Sequence, residues 1–162
     1  MTTLTMDRHK GRASSYDVAM AGLNYRIDEV RAAVGRVQLS KVIAGNLKRQ
    51  ALVEAYRQAF SGTKIICPFA TSQHNSAYHL QLVILPENAD REEVMAQMKA
   101  EGIQTSIHYP NFRSFSAYGE LVPLDSTPVC DEITTRGLTL PLYPGLTIDE
   151  VREVSATLLR IA

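Results

Sequence analysis

The chain has 162 residues, of which 45% are hydrophobic and 21% are charged, the proportions of an ordinary globular domain rather than of a disordered chain. Lys plus Arg and Asp plus Glu number 17 each, so the formal net charge is zero and a broad nucleic-acid-binding face is not expected. No stretch approaches the ~20 apolar residues of a membrane span, and the N-terminus lacks the apolar core of a signal peptide, which predicts a cytoplasmic protein with no membrane partner.

The first residues differ in pattern from the rest of the chain. Residues 1–23 are polar, show no clear period and include the turn-prone Ala13-Ser14-Ser15, so we predict an arm or loop there. We predict that residues 24–162 form a single domain that includes a long helix.

That helix is predicted from apolar residues that recur at three- and four-residue spacing, namely Ile27, Val30, Val34 and Val37. The pattern predicts a helix to about Ile43, a bend near Gly45-Asn46 and a second helical stretch to Ala59. The candidate caps and first-turn acids are Asn24, Tyr25, Asp28 and Glu29.

Downstream, short strands alternate with helices. Runs of β-type residues that stop at prolines predict strands at 64–67, 78–85 and 103–109. Asp90 and Glu93 predict a capping box that begins a helix, and Gly102 is predicted to end that helix. Thr147 and Glu150 predict a second capping box, which begins the last helix. The predicted buried residues of these two helices are Val94, Met95, Met98, Val151, Val154, Leu158 and Ile161.

Residues 110–146 are the least regular part, with short helices predicted near 112–118 and 128–136. The order of elements favours an α+β fold in which helices pack on one side of a small, mostly antiparallel sheet.

Two segments contain candidate site residues. His108-Tyr109 lies where a strand ends, a place from which functional side chains project, and both side chains could hydrogen-bond a sugar or a phosphate; a strand end with packed rings explains the pair equally well. Asn24 and Arg26 precede the long helix, whose N-terminus could bind a phosphate. The alternative there is an ordinary cap beside a surface charge.

The remaining histidines and the cysteines do not predict a metal site. The spacing of His9, His74, His79 and His108 matches no zinc-ligand pattern, and a structural role is the better interpretation of His79. Cys67 and Cys130 cannot build a disulfide framework, so we expect reduced, buried thiols.

The segment GLNYRIDEVRAAVGRVQLSKV, residues 22–42, resembles the pattern GxNYRxxExxAAxGxxQL of the DegT/DnrJ/StrS family of sugar aminotransferases. The residues in register are Asn24, Tyr25, Arg26, Glu29, Ala32, Ala33, Gly35, Gln38 and Leu39. The resemblance continues through residues 77–80, 102–105, 108–110, 140–142 and 146–147, and the arm also resembles the segment that precedes this helix in the family.

The resemblance implies the small C-terminal domain of a dimeric, fold-type-I pyridoxal-phosphate enzyme. Such enzymes transfer an amino group, usually from glutamate, to a nucleotide-linked keto-sugar, although a few relatives are dehydratases. It further implies that Asn24 reaches the neighbouring subunit's cofactor phosphate and that Arg26 meets cofactor or substrate anions. His108 and Tyr109 would face the sugar-nucleotide cleft, and Tyr78 and His79 would be sheet residues.

The resemblance also implies a missing part, because the family's Schiff-base lysine lies upstream of the region that matches. None of the five lysines, Lys10, Lys41, Lys48, Lys64 and Lys99, has the family context. We therefore expect the chain to be inactive and to bind no cofactor by itself, and to act with a lysine-bearing domain in a homodimer or higher oligomer. The alternative is a non-catalytic binding or dimerisation module that reuses this fold.

Overall fold

The computed structural model describes residues 22–23, 25–70, 76–118, 121, 123 and 127–162. Within them lie four α-helices, α1 (Glu29–Phe60), α2 (Arg91–Ala100), α3 (Pro128–Arg136) and α4 (Ile148–Ile161), and two strands, β1 (Gln81–Ile84) and β2 (Gly137–Leu140). The chain divides into two compact units, Met1–Gln38 and Leu39–Ala162, and α1 contains residues of both. Of the predicted N-terminal arm, only Gly22 and Leu23 fall within the described residues, and both are exposed.

Helix α1 begins at a different cap from those predicted. The Asp28 carboxylate accepts a hydrogen bond from the Arg31 backbone N–H (2.8 Å), which satisfies one of the free donors of the first turn. Tyr25 precedes the helix and is exposed, whereas Asn24 lies outside the described residues.

The helix was predicted to bend near Gly45-Asn46, but α1 continues through both residues without interruption. The Asn46 side chain accepts a hydrogen bond from the Arg49 guanidinium instead of competing for backbone groups. A single helical glycine costs only about 1 kcal/mol, and the burial of Leu52, Tyr56 and other residues of the later turns offsets it.

The two strands pair antiparallel, with Gln81 opposite Leu140 and Ile84 opposite Gly137. The predicted strand at 78–85 is therefore shorter than expected, and the predicted strands at 64–67 and 103–109 are reduced to single bridges. Ile66 bridges to Ile84, and Ser106 bridges to Thr139. Strand β2 was not predicted, since it lies within residues 110–146, the part predicted to be least regular.

The two predicted capping sites are confirmed with one difference. Thr147 and Glu150 form the complete capping box of α4. At α2, Asp90 accepts from the N–H groups of Glu92 (2.9 Å) and Glu93 (3.2 Å), but the Glu93 side chain accepts from Gln97 (2.6 Å) rather than closing the box. Gly102 follows α2 with a φ of +79°, the conformation that ends a helix.

The short helices of the proline-rich region are only partly as predicted. Residues 128–136 form α3, with Pro128 in the first turn. The helix predicted at 112–118 is only a 3₁₀ turn at Phe112–Ser114.

One hydrophobic cluster joins the sheet to three helices. Its buried members are Leu52, Tyr56, Phe60, Ile65, Val83, Leu85, Val94, Met98, Leu138, Leu140, Val151, Val154 and Leu158. Met95 and Ile161, which were predicted to be buried, are partly buried against it, and α3 contributes no residue to it. The fold is α+β, and within the described part of the chain no helix is both long and apolar enough to cross a membrane.

Candidate functional site

His108 is held in place by two neighbouring hydroxyl groups. Its Nδ1 lies 3.1 Å from Thr139 Oγ1 and 3.3 Å from Ser106 Oγ. Ser106 and Thr139 are themselves joined by two backbone hydrogen bonds, of 3.1 and 2.8 Å. The second strand therefore fixes both the backbone and the ring of this segment.

The other ring nitrogen of His108 is available to a ligand. Nε2 makes no hydrogen bond to any described residue, and the half-buried ring lines two cavities of about 560 Å³ and about 420 Å³. Pockets of this size accommodate small organic ligands. His108 and Leu80 are the described residues common to these two cavities, and His108 is the polar one of the two.

The larger cavity has an acidic lining. Glu101, Glu150 and Glu153 contribute carboxylates, and His79 and Tyr143 contribute further polar groups. No Lys or Arg is among the described residues that line it. Its charge therefore favours neutral or amine-bearing groups over anions.

The smaller cavity has the opposite character. Arg57 lines it together with the aromatic side chains of Phe69 and Tyr78, and no carboxylate is among its described lining residues. The Arg57 guanidinium donates to the Phe69 carbonyl (3.2 Å) and lies 3.8 Å from the Glu54 carboxylate. An anionic group is better accommodated here than in the larger cavity.

Cys67 also lines the smaller cavity. Burial raises the pKa of its thiol, and Arg57 and the Gln81 amide offset part of that rise. Both Cys67 and Cys130 are free, as predicted, but they are only partly buried.

Tyr109 lies beside His108 but is largely exposed, with 71% of its surface accessible. The two rings meet edge to face with centroids 5.1 Å apart, an arrangement that aromatic pairs favour. The structure thus brings together the two predicted substrate-binding residues and leaves the Tyr109 hydroxyl accessible.

The two predicted phosphate-binding residues are less completely described. Arg26 lies in the exposed segment just before α1, in the first compact unit. Asn24 lies outside the described residues.

Tyr78 and His79 are not the sheet residues that were predicted. Both precede β1, and Tyr78 has a φ of +48°, which a residue within a strand does not adopt. His79 is exposed and lines the larger cavity, so it is not the structural histidine that was expected. Among the described residues, no cluster of three or more His, Cys, Asp or Glu could hold a metal ion.

The sequence interpretation missed the residues that hold His108. Alternation along residues 103–109 places Ser106 and His108 on the same side of an extended segment, a signal that could have identified Ser106. No comparable signal identified Thr139, because its strand was not predicted.

The sequence and fold match known aminotransferases. Residues 2–159 match the family model of the DegT/DnrJ/EryC1/StrS aminotransferases. The fold is similar to that of DesV from S. venezuelae, solved in complex with a ketimine intermediate, with a TM-score of 0.74 and 32% identity over 94% of this chain and 43% of DesV.

Two further solved structures agree. A DegT DnrJ EryC1 StrS aminotransferase from Brucella abortus has a TM-score of 0.78 and 25% identity over 98% of this chain and 42% of its own. Spr1654 from Streptococcus pneumoniae, in its PMP form, has a TM-score of 0.81 and 22% identity over 96% of this chain and 40% of its own. The chain spans about two fifths of the length of each structure, and it belongs to the DegT/DnrJ/EryC1/StrS aminotransferase family.

Proposed function

We propose that these residues are the C-terminal part of a pyridoxal-phosphate-dependent aminotransferase that transfers an amino group from glutamate to a nucleotide-linked keto-sugar. The family match over residues 2–159 is the observation that carries this proposal. The PMP form of Spr1654 and the ketimine complex of DesV support it, since each belongs to a protein that shares this fold.

The described residues do not fit the reactive end of pyridoxal phosphate. Its aldehyde requires a lysine amine in a preorganised pocket. Lys41, Lys48, Lys64 and Lys99 are all exposed, and none of them lines either cavity beside His108. We propose that the Schiff-base lysine belongs to a separate domain and that the chain is inactive without it.

The charges of the two cavities support a division of the sugar-nucleotide between them. We propose that Nε2 of His108 binds the sugar in the acidic cavity, which admits a sugar because the sugar is uncharged. We propose that the exposed hydroxyl of the neighbouring Tyr109 binds the same sugar from outside that cavity. We propose that the diphosphate lies in the smaller cavity, which Arg57 lines. For the cofactor phosphate we propose Asn24 and Arg26, next to the N-terminus of α1, where backbone N–H groups and the helix dipole favour an anion.

Cofactor trapping tests the need for a separate lysine. Purified chain is incubated with pyridoxal phosphate, its absorbance is recorded, and the mixture is reduced with borohydride and weighed by mass spectrometry. We expect the spectrum of the free aldehyde and no stoichiometric adduct at a single lysine. A single stoichiometric adduct accompanied by transaminase activity would contradict the proposal.

Substrate binding is tested separately by NMR titration of the chain with a nucleoside-diphosphate sugar. We expect shifts at His108 and Tyr109 in the wild type and loss of the Tyr109 shift in His108→Ala. Tyr118→Phe is the control, because the Tyr118 ring packs against Phe112 whereas the Tyr109 ring packs against His108. Equal responses of the wild type and His108→Ala would remove His108 from the site.

The second candidate function is a non-catalytic dimerisation module. It is favoured by the apolar side chains of α1 that remain exposed in the first unit, including Val30, Val34 and Val37. The DNA upstream of this coding sequence distinguishes the two candidates. A reading frame that encodes a lysine-bearing domain favours the enzyme, and its absence favours the module. In either case we propose a cytoplasmic homodimer or higher oligomer.

A further inference from the structure

Thr139 occupies an unusual position for a polar residue. It lies within β2, where each of the four residues is buried, and only 5% of its own surface is accessible. A buried hydroxyl is costly unless it forms a hydrogen bond. Valine has nearly the same shape and would fill this position without that cost, so the hydroxyl needs an explanation of its own.

The surroundings of Thr139 supply one. Its Oγ1 has a single hydrogen-bond partner among the described residues, His108 Nδ1 at 3.1 Å. Its backbone also pairs with Ser106, two residues before the histidine. Thr139 therefore contacts both the segment that carries His108 and the ring itself.

We propose that Thr139 is a positioning residue for His108, whose hydroxyl holds Nδ1 and leaves Nε2 to bind the ligand. A buried hydroxyl hydrogen needs an acceptor, and the acceptor within reach is the Nδ1 lone pair. The Ser106 hydroxyl is farther from Nδ1, at 3.3 Å against 3.1 Å, and is only partly buried, so it has less need of this acceptor. The Thr139 hydroxyl therefore donates to Nδ1, and the ring proton resides on Nε2. The hydrogen bond at one ring nitrogen sets the role of the other, so Nε2–H donates to an oxygen of the bound molecule.

That the bound molecule is a sugar-nucleotide rests on the proposed function, whereas the tautomer of His108 does not. An experiment on the tautomer needs neither cofactor nor substrate. Failure of the sugar-nucleotide to bind would therefore leave the inferred tautomer intact. A different tautomer would likewise leave the proposed binding of the sugar-nucleotide intact.

The test is long-range ¹⁵N NMR of the histidine side chains of this chain at about pH 8, where histidine rings are neutral. His108→Gln identifies the signals of His108 by their loss. We expect widely separated ring-nitrogen shifts with the proton on Nε2 in the wild type. Thr139→Val should move the two shifts toward each other as the tautomers mix, and Thr139→Ser should restore the wild-type pattern.

Several outcomes would overturn the proposal. The first is a wild-type ring protonated on Nδ1, and the second is a pattern of ring-nitrogen shifts that Thr139→Val leaves unchanged. The third is a Thr139→Ser pattern equal to that of Thr139→Val, because the methyl group and not the hydroxyl would then cause the effect. Backbone amide spectra show whether each variant is folded. If Thr139→Val does not fold, the wild-type tautomer and the Thr139→Ser pattern still decide the question.

Discussion

At the scale of single residues, Tyr56 shows how a polar group is accommodated in this core. Its side chain is fully buried, and its hydroxyl donates to the Pro141 carbonyl at 3.0 Å. Burial raises the pKa of Tyr56 well above its ordinary value, and the nearby Tyr143 adds to the rise. The folded state therefore strongly favours the neutral phenol.

Tyr56→Phe should lower the free energy of unfolding by about 1 kcal/mol near neutral pH, because the Pro141 carbonyl loses its donor. Since the folded pKa is raised, the contribution of Tyr56 is fully present below about pH 10, its pKa in the unfolded chain, and is lost as the pH rises toward the folded value. Urea unfolding of wild type and variant at about pH 8 and about pH 10.5 measures this.

Tyr143→Phe is the matched control, because Tyr143 is half exposed and should affect stability less. A stability difference between wild type and Tyr56→Phe that stays constant up to about pH 11 would show that the phenol is not protected from ionisation.

Two glycines should respond in opposite directions to the same substitution. Gly102→Ala places a side chain at a φ of +79° and should destabilise the chain by about 1 kcal/mol. Gly45→Ala lies inside α1, where the new methyl group meets Arg49 and Pro144 at ordinary contact distances of 3.6 and 3.7 Å. It should stabilise by up to about 1 kcal/mol. Denaturant midpoints measure both, and shifts of the same sign would contradict this account.

Residue chemistry predicted part of the candidate site. His108 and Tyr109 were candidates because they lie at a predicted strand end before a proline and because both side chains can hydrogen-bond a sugar or a phosphate. Their role in a sugar-nucleotide cleft came from the family resemblance and stays a prediction. Thr139 was not, because its contact with His108 joins positions 31 residues apart in sequence. Such a contact follows from strand pairing rather than from local pattern.

At the scale of elements, helices were easier to predict than strands. Both ends of α2 and the start of α4 were predicted because capping residues act within a few positions of the helix that they begin or end. The strands depend on distant partners, so residues 103–109 looked like a strand yet contribute a single bridge. Conversely, β2 has only four residues and was missed.

The capping box of α4 gives the prediction at this scale. Thr147→Ala removes the side-chain acceptor of the Glu150 backbone N–H (3.2 Å) and should lower the free energy of unfolding by about 1 kcal/mol. Thr135→Ala is the matched control, because Thr135 is an exposed threonine inside α3 whose hydroxyl bonds, among the described residues, only the Glu132 carbonyl of its own helix. Circular dichroism during urea unfolding measures the change, and an unaltered midpoint would show that the box contributes nothing.

The same box should depend on pH. Hydrogen bonds from the Thr147 hydroxyl and then from its backbone N–H lower the pKa of Glu150. A lowered folded pKa means that the contribution is present above the unfolded value, about 4.3, and is lost as the pH falls through the folded value. Glu150→Gln should therefore be less stable than the wild type at neutral pH and approach it at about pH 3.

At the scale of the whole molecule, the exposed apolar residues of the first unit predict self-association. Val30, Val34 and Val37 have 74%, 56% and 55% of their surface accessible, and contiguous exposed apolar surface of this kind marks interaction sites. Light scattering coupled to size-exclusion chromatography should show an oligomer of the wild type. The double variant Val34→Lys/Val37→Lys should shift it toward monomer.

Gln38→Lys is the matched control, since it adds a charge on the same exposed helix without removing apolar surface, and it should remain oligomeric. A wild type that is monomeric at high concentration would contradict the prediction.

The single bridges beside β1 and β2 affect how readily the sheet could join sheets of other molecules and aggregate. Ile66 occupies backbone groups on the outer side of β1, and Ser106 occupies those on the outer side of β2. Long, unpaired strand borders are the places where sheets of separate molecules join and grow into fibrils. Among the described residues, the strands have four residues each and one bridge covers each border, so this sheet offers little template for such growth.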